Sequence, residues 1–439
     1  MAKKKPKKSM KGYYLITFLI GLGFFTMGLM DPLYDTYVPI FLGRYIESNA
    51  IIGAIMTLDN IFAIFLIPIF SALSDRIRTP IGRRMPFIIT LLPLSAIAFG
   101  LMPFSALSSL PLLILLIFAL NLFKQAARGP VVALMPDIIP GEIRSEANGV
   151  INTMGGVATI VGTIGLAQLM NVKINLGKLG PTDNILAFPL AGVLVVLAAL
   201  LLFFFVKENK ASQVTEEAQE RVPILKSLKH IFGEEDKSAL YILISLLCWF
   251  IGYQGVLPFV GKYSVEILKT SSGNAALAAG MVGIAYAIFA IPSGVIAHNH
   301  GRKKTIRFSL VALIIVLSLV FIHSLFISKQ ESSFLMRVIP FWILMFLFGM
   351  FWVSVITNSF PMLWQMADFA NIGIYTGLYY FFSQLASIIA PPITGGLIDL
   401  FGYGSLFIFA ALCMFVAFNF MGKVTKGEPE DHSDPIISE

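Results

Sequence analysis

An all-α integral membrane protein, with twelve transmembrane helices in two six-helix halves, is the fold class this sequence predicts. Three observations predict it. The 439 residues are 57% hydrophobic and only 13% charged, where a soluble domain carries about 25% charged residues, and the mean hydropathy is +0.82. Apolar runs of the length a bilayer crossing needs, about 20 residues, recur twelve times. Lys and Arg gather in alternate connections, the bias that sets membrane orientation.

The runs place helices near 13–42, 49–74, 86–105, 110–137, 145–171 and 186–206, then 239–262, 275–297, 308–328, 338–364, 372–397 and 404–422. The opening "MAKKKPKKSMKG" is basic and no small-residue cleavage site follows the first run, so it reads as a first span and not a removed signal. Arg76, Arg78, Arg83 and Arg84 lie between the second and third spans. Lys207, Lys210, Arg221, Lys226, Lys229 and Lys237 fill the central connection, and Arg302, Lys303, Lys304 and Arg307 the one between the eighth and ninth. With twelve spans these fall on one side, which puts both termini in the cytoplasm of a multi-pass cell-membrane protein. The expected organisation is a first half at 1–206, a cytoplasmic linker at 207–238, a second half at 239–422 and a cytoplasmic tail at 423–439.

The halves echo each other. "SDRIRTPIGRRMPFI" (74–88) follows the second span, and "AHNHGRKKTIRFS" (297–309) follows the span that is second in its own half. "ANGVINTMGGVATIVG" (147–162) and "YTGLYYFFSQLASIIA" (375–390) both open a fifth span. Two repeats about an axis along the membrane normal, with a site between them, are transporter architecture.

The loop at 74–88 resembles the signature loop of the major facilitator superfamily, Gly-x-x-x-Asp-Arg-x-Gly-Arg-Arg. Asp75, Arg76, Gly82, Arg83 and Arg84 match, across a longer spacer, and Ser71 stands at the first Gly. "SDR…GRRMPFI", "RGPVVALMPDIIP", "RSEANGVIN" and "YTGLYYFFSQLASIIAPPITGGLID" resemble the sucrose-transporter branch and the related glycoside–pentoside–hexuronide:cation symporters. Plant sucrose carriers place an Arg where this chain has Val132. The resemblance spans essentially the whole chain. It implies the superfamily fold, alternating access, a monomer, and a small-molecule substrate, a glycoside or small sugar.

Charges inside the apolar runs are the candidate machinery, because a charge at mid-bilayer is retained only with a partner and a use. Lys124 and Arg128 share one face of the fourth span, one turn apart. Asp59 lies in the second span, and Asp31 and Asp35 in a first span that Pro32 and Pro39 let bend. At 1.5 Å per residue the three acids fall slightly outward of mid-membrane and the two cations near mid-depth. The expectation is that Lys124 and Arg128 face a water-filled cavity and pair with Asp59 and one first-span acid. Asp59, Asp31 and Asp35 are then the coupling groups, cheap to bury when protonated and in need of the cation when ionised. The cycle that follows has a proton on Asp59 release Arg128 to substrate. The other reading is a structural ion pair, although desolvation offsets much of a buried pair's attraction. Carriers of the melibiose type set two acids one turn apart on this span to cage sodium; here the neighbouring turns offer Ile55 and Ala63. A lone carboxylate suits a proton, and Asp31 and Asp35 keep sodium open.

Sugars are held by planar polar groups and by stacking on aromatic faces. In the second half Tyr253 and Gln254, Trp352 and Asn358, and Tyr379 and Gln384 sit at mid-depth of the seventh, tenth and eleventh spans as substrate-binding candidates beside Lys124 and Arg128. Packing competes for the aromatics and helix–helix hydrogen bonding for the amides. Asp75, Arg76, Arg83 and Arg84, with Asp137 and Arg144 at the near end of the fourth and fifth spans, form the candidate cytoplasmic gate. Asp75 argues for a gate, since topology alone needs no acid.

No phosphate-binding loop, metal-spaced His/Cys cluster or nucleophile constellation appears, so the chain reads as no enzyme and as needing no cofactor beyond a coupling proton or sodium ion. The net charge of +7 belongs to topology, with membrane lipid and not nucleic acid as the neighbour. A symporter importing a glycoside is the first reading. An antiporter exporting sugars or drugs is the second, and a non-transporting membrane sensor, which wants an appended signalling domain, a third.

Overall fold

The computed structural model describes residues 10–140, 143–175, 177, 181–208, 236–329, 333–366 and 372–428. Among them twelve helices are long and apolar enough to cross a membrane: α1 (Tyr14–Leu42), α2 (Asn49–Arg76), α3 (Met85–Ser108), α4 (Leu110–Ile138), α5 (Ala147–Asn171), α6 (Ala187–Phe205), α7 (Ser238–Glu266), α8 (Ser272–His300), α9 (Arg302–Ile327), α10 (Phe334–Trp364), α11 (Tyr375–Phe401) and α12 (Gly404–Gly422). The expected spans agree within a few residues, with α9 the largest departure. It begins at Arg302 rather than near 308, because the basic residues that read as loop form its first turn. Most of the expected linker, 209–235, and the tail end, 429–439, lie outside the described residues. At the linker's edge, hydrogen bonds from the Ser238 hydroxyl and amide hold the Asp236 carboxyl below the usual carboxylate range.

Two compact units contain the chain: Met1–Ala218 with Leu257–Gly280, and Gln219–Val256 with Met281–Glu439. In the first, α3 packs on α4 and α6, α1 on α5 and α6, and α2 on α4. In the second, α9 packs on α10 and α12, and α11 on α12. The third helix of each half thus packs on the fourth and sixth of its own half, which carries the sequence repeat into packing.

Small residues bring the helices together, as they do where no hydrophobic effect drives association between spans. A Cβ on Gly28 would lie 2.4 Å from the Gly155 carbonyl oxygen, and one on Gly129 2.9 Å from that of Ile67. These approaches fix α1 against α5 and α4 against α2. Two spans are irregular. The backbone of α2 is broken at Thr57, so that Asp59 lies in the first turn of the piece Leu58–Arg76. In α5 a π-helical turn at Val161–Gly165 leads into a 3-10 stretch at Leu166–Asn171.

Candidate functional site

In the first unit the intramembrane charges of α1, α2 and α4 converge. Lys124 is buried, and its ammonium donates to Asp31 Oδ1 at 2.8 Å. The Lys124 side chain is 4% exposed and that of Asp31 40%, so the pair is reached from the Asp31 side. Asp35 interacts electrostatically with Asp59, Asp31 and Lys124, and Asp59 with Lys124, Asp31 and Arg128. Three acids from two helices therefore share one field with two cations of a third. The expected pairing of Arg128 with Asp59 is not made. Asp59 Oδ1 accepts instead from the Asn60 amide at 2.6 Å and the Asn60 side chain at 2.7 Å. The break at Thr57 places Asp59 in a first helical turn, beside the Asn60 amide, which it shares with the Thr57 carbonyl, and at the helix end that favours a carboxylate. Arg128 is exposed and has no ion pair or hydrogen bond among the described residues.

Two polar residues that sequence reasoning missed complete this cluster. Tyr34, fully buried on α1, lies with its ring 5.2 Å from the Lys124 ammonium. Asn121, one turn before Lys124, donates to the Tyr34 hydroxyl and to the Ile117 carbonyl, both at 3.0 Å. The i, i+3 spacings Asp31–Tyr34 and Asn121–Lys124 were the available signal.

At the face from which α1 starts, a second charge cluster ties α2, α3, α4 and α6. Arg83 donates to Asp137 through Nε at 3.0 Å and Nη2 at 2.5 Å. Arg84, also buried, donates to Asp137 Oδ2 at 2.9 Å and pairs with Asp75 and with the Ser74 hydroxyl. Arg76 does not join: it is exposed, one residue and about 100° of helix past Asp75. The Arg144 side chain, like Glu142, lies outside the described residues. Glu208, which reads in sequence as the start of a solvated linker, is buried here. It accepts from the backbone amides of Arg83, Arg84 and Met85 at 2.9–3.0 Å. The signal for it was local: α3 starts at Arg84–Met85–Pro86 with no side-chain cap of its own, so its first N–H groups need an acceptor from elsewhere.

In the second unit the aromatic candidates form a pile. Tyr253 stacks on Trp352 with centroids 4.3 Å apart and planes 7° apart, and Phe348 lies nearly parallel to both at 6.2 Å. Phe250 meets the edges of Trp352 and Tyr379. Trp352, expected to meet substrate, is buried, whereas Tyr253 is partly exposed. Of the amides, Gln254 donates to the Ser387 hydroxyl at 2.5 Å. Asn358 donates to the Ser354 carbonyl at 2.8 Å and the Ser293 carbonyl at 3.4 Å. Tyr379 shares a 3.3 Å hydrogen bond with Ser359. Gln384 is half-buried and makes no hydrogen bond among the described residues.

The sequence profile described as Major Facilitator Superfamily matches residues 14–283 and again residues 263–436. The chain belongs to the major facilitator superfamily. It is therefore a membrane transporter that handles a small-molecule substrate. Among solved structures, the nucleoside transporter NupG is similar with a TM-score of 0.72 and 13% identity over 93% of this chain and 100% of that one. A bacterial metal transporter is similar with a TM-score of 0.65 and 12% identity over 96% and 99%. At those identities the likeness is one of fold. No curated protein matches the chain in sequence.

Proposed function

We propose that this member of the superfamily is a monomeric symporter of the cell membrane, both termini cytoplasmic, that imports a glycoside or small sugar with protons. The observation that carries the proposal is the Lys124–Asp31 ion pair inside a transmembrane bundle, with Asp35 and Asp59 in the same field. A buried pair is weak evidence for stability, and an acid that gains a proton beside a cation changes the local charge by one unit, which is what coupling requires. Arg128, one turn away and without an ion pair among the described residues, supports the reading as the cation left for substrate hydroxyls. The sugar-branch motifs and the partly exposed Tyr253, backed by Trp352 and flanked by Gln254, support a planar, hydroxyl-rich substrate. The stacked rings suit nucleosides as well, which are glycosides with a flat base, and the structurally similar NupG is a nucleoside transporter.

Counterflow of labelled disaccharides, hexoses and nucleosides in proteoliposomes, with and without an inside-alkaline gradient, tests this. The expected result is uptake of one class, accelerated by the gradient and abolished in Arg128→Ala. Uptake that the gradient leaves unchanged while sodium drives it would transfer coupling to sodium. Gradient-driven efflux with no uptake would establish the antiporter reading.

A further inference from the structure

Asp31, Tyr34, Lys124 and Asn121 form a square between α1 and α4. One side is the ion pair at 2.8 Å, the opposite side is the amide–phenol hydrogen bond at 3.0 Å, and the Lys124 ammonium stands 5.2 Å from the Tyr34 ring centroid. We infer that the Tyr34 ring, held in place by Asn121, is a second seat for the Lys124 ammonium, which keeps that charge in position whenever Asp31 is neutral or engaged elsewhere. The inference rests on reading this cluster as the coupling site, and it assigns Tyr34 and Asn121 as positioning residues there.

The geometry separates the two seats by access. The Asp31 side chain is 40% exposed, while Tyr34 and Asn121 are 1% and 0% exposed. A proton or a polar ligand therefore reaches Asp31 and not the ring. The groups that face Lys124 are Asp31, Tyr34 and Asp35 from α1 and Asp59 from α2, while Arg128, one turn on along its own helix, acts on Asp59. Among these carboxylates only Asp31 is at ion-pair distance. If Asp31 were the sole seat, its neutralisation would free the ammonium to swing toward Asp35 or Asp59 and erase the difference between the loaded and empty states. A ring face attracts a desolvated cation without itself titrating. Asn121 prevents the ring from turning away, since its amide is also anchored on the Ile117 carbonyl.

The test needs no substrate. Full-length protein in proteoliposomes is treated with acetic anhydride, and acetylation of Lys124 is read by mass spectrometry relative to Lys262, a lysine buried against Asn49, so that general loosening of the fold cancels. In the Asp31→Asn background, Tyr34→Phe, which keeps the ring and loses only the hydroxyl that Asn121 holds, is expected to raise the ratio by less than about threefold. Tyr34→Leu in the same background is expected to raise it about tenfold, the scale of a desolvated cation–ring interaction. Asn121→Ala should match Tyr34→Phe, since either change removes the amide–phenol bond. Equal ratios for the Phe and Leu variants overturn the inference. Absence of sugar uptake by the wild type, with the labelling ratios as expected, refutes the coupling reading and leaves the second seat standing.

Discussion

Glu208 and Arg84 are far apart in sequence, yet the Arg84 amide donates to both carboxylate oxygens of Glu208 at 3.0 Å. A residue just past the end of α6 thereby caps the start of α3 and closes a loop in which Gly82 has φ +122°. A Cβ at Gly82 would fall 2.1 Å from the Glu208 carboxylate, so the turn and the cap require each other. Glu208→Ala leaves three amides without their acceptor, and an unmet buried donor costs about 1–3 kcal/mol. The thermal midpoint in detergent should drop by several degrees, with Glu208→Gln, which keeps an acceptor oxygen, falling by less. An unchanged midpoint for Glu208→Ala would show that the cap is dispensable.

Asp137 and Asp75 both pair with Arg84, but they are not equivalent. Their side chains are 10% and 53% exposed, and Asp137 also holds Arg83. Removing one partner of a buried pair costs about 3–5 kcal/mol, whereas an exposed pair contributes about 0–1 kcal/mol. Asp137→Asn should therefore destabilise far more than Asp75→Asn in the same melting assay. If Asp75 does serve a gate, its substitution should act on transport rate with little change in midpoint, and a large midpoint loss in Asp75→Asn would count against that role.

The spans and their repeat were legible in the sequence because hydropathy and cation placement are one-dimensional signals. The same holds for the clustering of Asp31, Asp35, Asp59 and Lys124, since few things other than each other could accept these charges within apolar runs. Which acid takes Lys124 was not legible. It depends on the break at Thr57, which gives Asp59 a backbone partner, and on the rotation of α1 set by close approaches such as Gly28 on Gly155. Glu208 was hidden for another reason: a charge beside a span end looks like solvated linker until the uncapped start of α3 is placed next to it. Burial of Trp352 beneath Tyr253 likewise follows from helix rotation and not from composition.

Gly28 tests the packing of α1 on α5 directly. Any side chain there meets the Gly155 carbonyl oxygen at 2.4 Å, and that atom is backbone, so it cannot rotate away. Gly28→Ala should cost about 1–3 kcal/mol, the range for overpacking a filled interface, and lower the thermal midpoint. Gly149, where an added Cβ meets nothing within 4 Å, supplies the control, and Gly149→Ala should keep or raise the midpoint, since Ala is the better helix former. Equal behaviour of the two variants would mean that α1 and α5 do not approach as described.

Lys262 of α7 is buried in the first unit, where its ammonium donates to Asn49 Oδ1 at 2.7 Å and lies 3.6 Å from the half-exposed Glu266. A neutral amide is thus its closest acceptor. Replacing both partners of a buried polar contact by apolar side chains of similar shape is often neutral or stabilising, while removing one strands the other, at greater cost when the stranded group is charged. Asn49→Leu, which strands the ammonium, should lower the melting midpoint more than Lys262→Met, which strands only an amide oxygen. The double variant should recover most of the Asn49→Leu loss, which a cycle of the four proteins measures. An Asn49→Leu loss that Lys262→Met does not reduce would show that the two side chains act independently.

Tyr253 and Trp352 are the pair on which the proposed substrate site depends, and their burial assigns them different tasks. Trp352 is 4% exposed and offers one face to Tyr253, so it supports the outer ring and fills the core. Tyr253 is the leaf a ligand can reach. Tyr253→Leu should raise KM for the transported substrate several-fold with maximal rate and midpoint nearly intact, since stacking of one aromatic ring on a planar ligand is worth about 1–3 kcal/mol. Trp352→Leu removes a large buried ring and should cost about 3–5 kcal/mol of stability or fold poorly, whereas Trp352→Phe, which keeps an aromatic backing, should restore most of the midpoint and leave KM within about twofold of wild type. Counterflow and thermal melts of these three variants separate the roles. A KM unchanged in Tyr253→Leu would remove the aromatic pile from the substrate site and leave Gln254, Gln384 and Arg128 as the groups to test next.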